Sequence, residues 1–96
     1  MSDDPLIRQL RQQISDTDRS IVDAINARLR LVARLKRYKE SRGIGFLDPE
    51  REEWMVQYLQ RANRGPLSGD GLRELFEEIL DLTKREVQRG EETTTP

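Results

Sequence analysis

Residues 5–41 read PLIRQLRQQISDTDRSIVDAINARLRLVARLKRYKES, and this stretch decides the fold. After Pro5 it contains no Gly or Pro, and its aliphatic residues recur at spacings of three and four, which is typical of a helix. Pro5 follows two aspartates and favours a helix start, and Gly43 lies just beyond Ser41 and favours an end. The sequence therefore predicts one helix of about 36 residues, which is roughly 54 Å long.

A helix of that length does not fit within one small chain. The chain has 96 residues, and a compact monomer of that size has a radius of gyration of only about 12–13 Å. The helix would extend beyond any core that the rest of the chain could build. Its length alone predicts packing against another chain, most simply a symmetric second copy in a homodimer.

Two shorter helices follow. The second is predicted to begin at residues 48–50, where Asp is a good N-cap and Pro fits the first helical position, and to end before Asn63. The third is predicted to begin after residues 68–71 and to run to about Arg89.

The pattern as a whole predicts an all-α fold, a three-helix subunit with one very long N-terminal helix. No strand pattern and no internal repeat is present. We expect a single helical domain over residues 5–90, with Gly90 as a helix stop, and a disordered tail over residues 91–96.

The composition excludes much chemistry. Lys and Arg number 17 and Asp and Glu 18, which gives a net charge of −1, and there is no Cys and no His. Disulfides, thiol nucleophiles, His-based triads and the usual zinc sites are excluded, so an enzyme would depend on fixed charge. We expect no metal and no cofactor.

The same composition bears on partners and location. A near-neutral charge gives no support to a nucleic-acid or anionic-membrane surface. No apolar run approaches the roughly 20 residues of a membrane span. The first ten residues lack the basic and apolar regions of a signal peptide, so a cytoplasmic protein is expected.

The first helix carries charges among its apolar residues. Residues three and four apart form one line along it, here called the seam: Arg11, Ile14, Asp18, Ile21, Ile25, Arg28, Val32, Leu35 and Lys39, with Val22 and Leu29 beside it. Each cation alone could lie at the edge of a bundle with its charge in water. Three cations beside the single acid Asp18 indicate an anionic ligand, because a buried cation needs a counter-charge.

Distances along the helix separate the three cations. Arg28 and Lys39 are about 16 Å apart, within reach of one small ligand if both side chains lean inward. Arg11 lies about 25 Å from Arg28 in the other direction, which is too far within one chain. In an antiparallel dimer Arg11 of one subunit could reach the Arg28–Lys39 region of the other, which gives two equivalent sites.

The other two helices offer further candidates. Arg51 and Glu52 fall in the first turn of the second helix beside its exposed N–H groups, although Asp48 and Glu52 could simply compensate the helix dipole there. We interpret Trp54 and Tyr58 as packing residues.

The third helix has an apolar stripe with one polar member. The stripe consists of Leu72, Leu75, Phe76, Ile79, Leu82, Thr83 and Val87. The Thr83 hydroxyl is either a ligand contact or bonded back to a carbonyl one turn earlier. Glu86 lies at the edge of the stripe, and we place Lys84 with the solvated face.

These residues together resemble the all-helical class of chorismate mutases. The resemblance rests on Leu10-Arg11-x-x-Ile14, then Asp18, Arg28, Lys39, Asp48-Pro49-x-Arg51-Glu52, and Leu75-Phe76-x-x-Ile79 followed by the hydroxyl of Thr83. It covers roughly residues 6–88. It implies an intertwined homodimer that converts chorismate to prephenate by a Claisen rearrangement.

The resemblance also implies roles for the candidate residues. Arg28 and Arg11 of the other subunit would clamp the two carboxylates of a small dicarboxylate substrate, and Lys39 would donate to its ether oxygen. Arg51 would lie beside a carboxylate, Thr83 where the family often has Ser, and Glu52 with the Asp48 backbone at the ring hydroxyl. Lys39, Arg28 and Glu52 would be the catalytic residues.

One position departs from the family pattern. The family usually has Gln or Glu eleven residues after the helix-three Phe, as a second donor to the ether oxygen, and this chain has Val87. A lost donor of this kind costs about 2.7–4 kcal/mol in the transition state. Glu86, one position earlier, could reach the site only from the side.

Three functions follow as alternatives. The first is chorismate mutase. The second is a related enzyme on the same scaffold that acts on 4-amino-4-deoxychorismate, or an isochorismate pyruvate lyase. The third is a non-catalytic helical dimer module that kept the fold and lost the activity.

Overall fold

The computed structural model describes residues 4–94 and consists of three helices. They are α1 (Pro5–Ser41), α2 (Pro49–Ala62) and α3 (Gly69–Thr94). The part of the chain that is described contains no strand, so the prediction of an all-α subunit with one very long N-terminal helix is confirmed. The chain divides into two compact units, Met1–Leu31 and Val32–Pro96.

The first unit contains most of α1. Asp4 caps the helix, because its Oδ1 accepts hydrogen bonds from the backbone N–H groups of Leu6 at 2.8 Å and Ile7 at 3.3 Å. No residue of α1 is buried. The seam residues Ile14 and Ile21 remain 60% and 55% exposed, so the single chain leaves apolar side chains of this unit in contact with water.

The end of α1 lies in the second unit and is closed by a Schellman motif. Gly43 has a φ of 69°, a left-handed conformation that glycine adopts without steric cost. The N–H of Ile44 donates to the Lys39 carbonyl at 2.8 Å, and the N–H of Gly43 donates to Glu40 at 3.1 Å. These bonds satisfy carbonyls that a helix end leaves unpaired, and they confirm that α1 ends where the sequence predicts.

Helix α2 begins as predicted. Asp48 is its N-cap, with the side chain accepting from the Arg51 N–H at 3.1 Å, and Pro49 is the first helical residue. The helix ends at Ala62, and the N–H of the C-cap Asn63 donates to the Leu59 carbonyl at 2.8 Å.

The core of the second unit lies between α2 and α3. Its buried residues are Val56 on α2 and Leu72, Thr83 and Val87 on α3. Val56 has an exposure of 2%, the lowest of the four, and it was not identified from the sequence. The three members of the α3 stripe were predicted correctly.

Helix α3 extends beyond both predicted ends. It begins at Gly69, because the Ser68 hydroxyl accepts from the Gly71 N–H at 2.9 Å and acts as an N-cap. It also passes through Gly90 and continues to Thr94.

The prediction of a helix stop at Gly90 is therefore wrong, because α3 continues to Thr94. Gly90 is absent from the positive-φ glycines, Gly43 and Gly65, so it lacks the conformation by which a glycine ends a helix. Glu91 is also held by an ion pair with Lys36 on α1, with 2.7 Å between Oε1 and Nζ. Residues 95–96 lie outside the described residues.

Among residues 4–94, every helix lacks an apolar stretch of the length that a bilayer requires.

Alanine at two glycines tests the helix ends. A Cβ at Gly43 would meet no atom within 4 Å, so Gly43→Ala should destabilise the fold only by the backbone cost of the left-handed conformation, about 1–2 kcal/mol.

A Cβ at Gly90 would also meet no atom within 4 Å, and Gly90→Ala should stabilise the fold by about 0.5–1 kcal/mol because the residue is helical. Urea unfolding measures both values. An unchanged or lower stability of Gly90→Ala would contradict a folded helix at residues 91–94.

A second prediction concerns Glu53 on α2 and Arg73 on α3. Two N–H groups of Arg73 donate to the two carboxylate oxygens of Glu53 at 2.8 and 3.0 Å. This bidentate contact lowers the pKa of Glu53 and raises the pKa of Arg73. A lowered folded-state pKa stabilises the fold above the ordinary Glu value of about 4.3, and the contribution is lost as pH falls through the lowered value. Glu53→Gln should therefore lower the melting temperature at pH 7 and converge with the unchanged protein in acid. A melting-temperature difference that does not depend on pH would contradict this role.

Candidate active site

The eight residues predicted to form the site lie on all three helices. Arg11 and Arg28 belong to the first unit. The other six belong to the second unit: Lys39, Asp48, Arg51, Glu52, Thr83 and Val87.

The two arginines of the first unit differ in exposure. Arg11 is exposed and Arg28 is half-buried. The acid of the seam, Asp18, is also exposed. The seam is not buried in the single chain, since α1 contributes no buried residue. Burial of these charges requires a second molecule against α1.

Lys39 is half-buried in the last turn of α1, where the helix end is firmly held. Its carbonyl accepts from the N–H groups of Arg42 and Ile44. Lys36, one turn earlier, lies over the ring of Phe46 at 5.5 Å and pairs with Glu91 of α3. The backbone that carries Lys39 is thus tied both to the following loop and to α3.

At the start of α2, both the side-chain carboxylate and the backbone carbonyl of Asp48 accept hydrogen bonds. The side chain caps the helix, and the carbonyl accepts from the Glu52 N–H at 3.0 Å. The capping interpretation of Asp48 is confirmed. A carbonyl has two lone pairs, so the Asp48 carbonyl retains one acceptor position for a ligand.

Arg51 is positioned by an aromatic side chain. Its guanidinium lies over the ring of Trp54, with 4.1 Å to the ring centroid. Trp54 in turn stacks on Tyr58 at 5.4 Å with nearly parallel planes. Both rings are exposed, so they pack on each other and not in the core. Helical spacing places the three residues on one face of α2.

Glu52 contacts a residue that the sequence interpretation missed. The Nζ of Lys84 lies 3.2 Å from the Oε1 of Glu52, and the two side chains are 39% and 30% exposed. Lys84 was predicted to belong to the solvated face of α3. Its position at the edge of the apolar stripe, between Thr83 and Val87, is the signal that could have identified it.

Thr83 and Val87 lie in the buried face of α3. The Thr83 hydroxyl donates to the Ile79 carbonyl at 2.6 Å, which confirms the back-bonded alternative for its rotamer. Val87 is buried and carries no hydrogen-bonding group. Glu86, the neighbour that could have replaced a donor at this position, forms an ion pair with Arg89 on its own helix.

Comparison with known proteins places this arrangement in a family. A family model described as chorismate mutase type II matches residues 10–88. A bifunctional chorismate mutase/prephenate dehydratase of Stutzerimonas stutzeri is 32% identical over 85 residues, which cover 83% of this chain and 23% of that protein. A protein of the same description from Pseudomonas aeruginosa is 33% identical with the same coverage. The chain thus spans about a quarter of the length of these curated relatives.

Solved structures agree. A chorismate mutase from Thermus thermophilus in form I is 35% identical with a TM-score of 0.78, over 80% of this chain and 96% of that chain. Its form II gives 34% identity and a TM-score of 0.81, over 86% and 94%. The order of the three helices defines an all-helical fold. The chain belongs to the chorismate mutase type II family.

Proposed function

We propose that the chain catalyses the Claisen rearrangement of chorismate to prephenate. The observation that carries this proposal is the family match over residues 10–88, which includes all eight predicted site residues. The single domain over residues 5–90 and a cytoplasmic location are part of the same proposal, and the names of the biosynthetic relatives support the location.

The chemistry suits a site made of fixed charges. Within one substrate molecule the ether C–O bond breaks while a C–C bond forms, without a nucleophile and without proton transfer. Catalysis requires that the dianion be held in its compact reactive conformer. It also requires a donor at the ether oxygen, which gains negative charge as its bond to carbon breaks.

The residues of the chain match these requirements. Arg28 and the Arg11 of a second chain supply planar guanidinium groups, which bind carboxylates with two parallel hydrogen bonds. Lys39 supplies a point charge for the ether oxygen, from a helix end held by the Gly43 cap. Arg51, stacked on Trp54, faces a carboxylate.

The remaining four residues complete the proposed site. Glu52 and the Asp48 carbonyl accept from the ring hydroxyl of the substrate. Thr83 and Val87 form the α3 wall, and both are buried.

The proposal includes a homodimer. The apolar side chains of α1 that the single chain leaves exposed are Leu6, Ile7, Leu10, Ile14, Ile21, Val22, Leu31 and Leu35. A face of this extent on one helix is typical of a surface that another helix covers. A second copy supplies such a helix by symmetry, and in an antiparallel arrangement it would bring Arg11 to the site of its partner.

One observation favours a second candidate function. Val87 is buried and aliphatic where the family usually has a hydrogen-bond donor. A related enzyme that acts on 4-amino-4-deoxychorismate is therefore the alternative, ahead of an isochorismate pyruvate lyase or a non-catalytic module. Turnover of chorismate and of its 4-amino analogue in parallel distinguishes these functions.

Turnover of chorismate tests the proposal directly. The purified protein should consume chorismate, followed by its absorbance, well above the uncatalysed rate. Arg28→Ala should lower kcat/KM by orders of magnitude, because it removes a two-pronged contact to a carboxylate. The matched control is Arg30→Ala, an exposed arginine two residues away, which should retain the activity. An Arg28→Ala variant with a normal rate would refute the assignment of the site.

Mixed dimers test whether each site uses two chains. Neither Arg11→Ala nor Lys39→Ala should be active alone, because each homodimer lacks one residue in both sites. A heterodimer of the two variants should have one complete site and one that lacks both residues, and so roughly half the activity of the unchanged dimer. Tagged heterodimers purified by their two tags provide the sample. Inactive heterodimers would show that the two residues act within one chain.

A further inference from the structure

Lys84 is the one side chain that links Glu52 to α3 among the contacts of the described residues. The two groups are 3.2 Å apart and both are partly shielded from water, with side-chain exposures of 39% and 30%. This contact joins the first turn of α2 to the stretch of α3 that carries Thr83 and Val87. The ammonium of Lys84 therefore lies next to the carboxylate proposed to contact the substrate.

The polar side chains beside Val87 on this face of α3 are Thr83 and Glu86, and both have partners on their own helix. The Thr83 hydroxyl donates to Ile79, the Glu86 carboxylate pairs with Arg89, and Val87 has no polar group. A lysine ammonium has three N–H donors, of which the Glu52 contact uses one. Lys84 thus brings to this wall a positive charge that the apolar Val87 does not.

The ion pair with Lys84 changes which substrate substituent Glu52 attracts, a cationic one or a neutral one. A lone carboxylate attracts a cationic substituent more strongly than a neutral one. When Lys84 offsets that charge, the advantage of the cation is lost, and a cationic substituent within a few ångströms is also repelled by the ammonium. A neutral hydroxyl can still donate to the other oxygen of Glu52, because an ionised carboxylate accepts several hydrogen bonds.

We propose that Lys84 determines specificity at the ring position that Glu52 contacts, in favour of a hydroxyl and against an amine. An aliphatic amine is protonated at neutral pH, so 4-amino-4-deoxychorismate presents a cation where chorismate presents a neutral group. The proposal rests on the function proposed above. It assigns chorismate as the substrate of a site whose Val87 left that choice open.

The experiment compares kcat/KM for the two substrates. The unchanged protein should prefer chorismate. Lys84→Met keeps the length of the side chain but removes its charge, and it should shift the ratio of the two kcat/KM values toward the amine by at least about tenfold. That size allows for the partial exposure of the pair, which weakens its Coulomb interaction.

Two further variants separate specificity from structure. Lys84→Arg keeps the charge and should keep the preference for chorismate. Arg73→Met is the matched control, because it breaks the other ion pair between α2 and α3, the contact to Glu53, without altering the charge at Glu52. It should leave the ratio unchanged even if it lowers stability.

The outcomes are distinct. A shift in Lys84→Met that is absent from Lys84→Arg and Arg73→Met supports the proposal. An unchanged ratio in an active, folded Lys84→Met protein overturns it, as does an equal shift in Arg73→Met. If the unchanged protein turns over neither substrate, the proposed function itself fails, which is a different result from a lost preference. If Lys84→Met does not fold, Lys84→Gln provides the same neutral comparison.

Discussion

The structure depends on one long helix whose apolar face its own chain leaves uncovered. α1 spans 37 residues and buries none of them. Full burial of a Leu or Ile side chain contributes about 1.5–3 kcal/mol, and a face with several such residues therefore strongly favours association. The same chain forms a small core only where α2 meets α3, around Val56, Leu72 and Val87. We therefore expect the stability of this protein to depend on the proposed contact between α1 and a second chain.

The charges on that helix connect assembly with chemistry. Cations at a helix interface are costly unless an anion accompanies them, and the dicarboxylate substrate proposed above would provide that anion. The proposed site accordingly takes Arg11 from one chain and Arg28 and Lys39 from the other. In the second unit the Gly43 cap holds the end of α1, the Asp48 cap holds the start of α2, and the Glu52–Lys84 pair joins α2 to α3. A chain without Cys or His can perform this chemistry because the reaction requires shape and fixed charge.

The sequence predicted the local features well and the tertiary contacts less well. The start of α2 at Asp48 and the end of α1 at Gly43 follow from local hydrogen bonds, which the residue types specify. The helix stop predicted at Gly90 was wrong because Gly90 lacks the positive φ with which a glycine ends a helix. In addition, Glu91 contacts Lys36, which is 55 residues away in sequence. Lys84 was missed for the same reason, since its partner Glu52 is on another helix. The roles of the site residues came from the family resemblance, and periodicity alone did not supply them.

The central claim is that the catalytic unit is made of two chains. Active-enzyme sedimentation tests it most directly, because a thin band of protein that sediments through chorismate reveals the size of the species that consumes the substrate. We expect chorismate to be consumed at the position of a species of two chains, and no active single chain to be present in the same band. Turnover at the position of a single chain would contradict a site made of two chains, because Arg11 could not reach Arg28 and Lys39 of the same molecule.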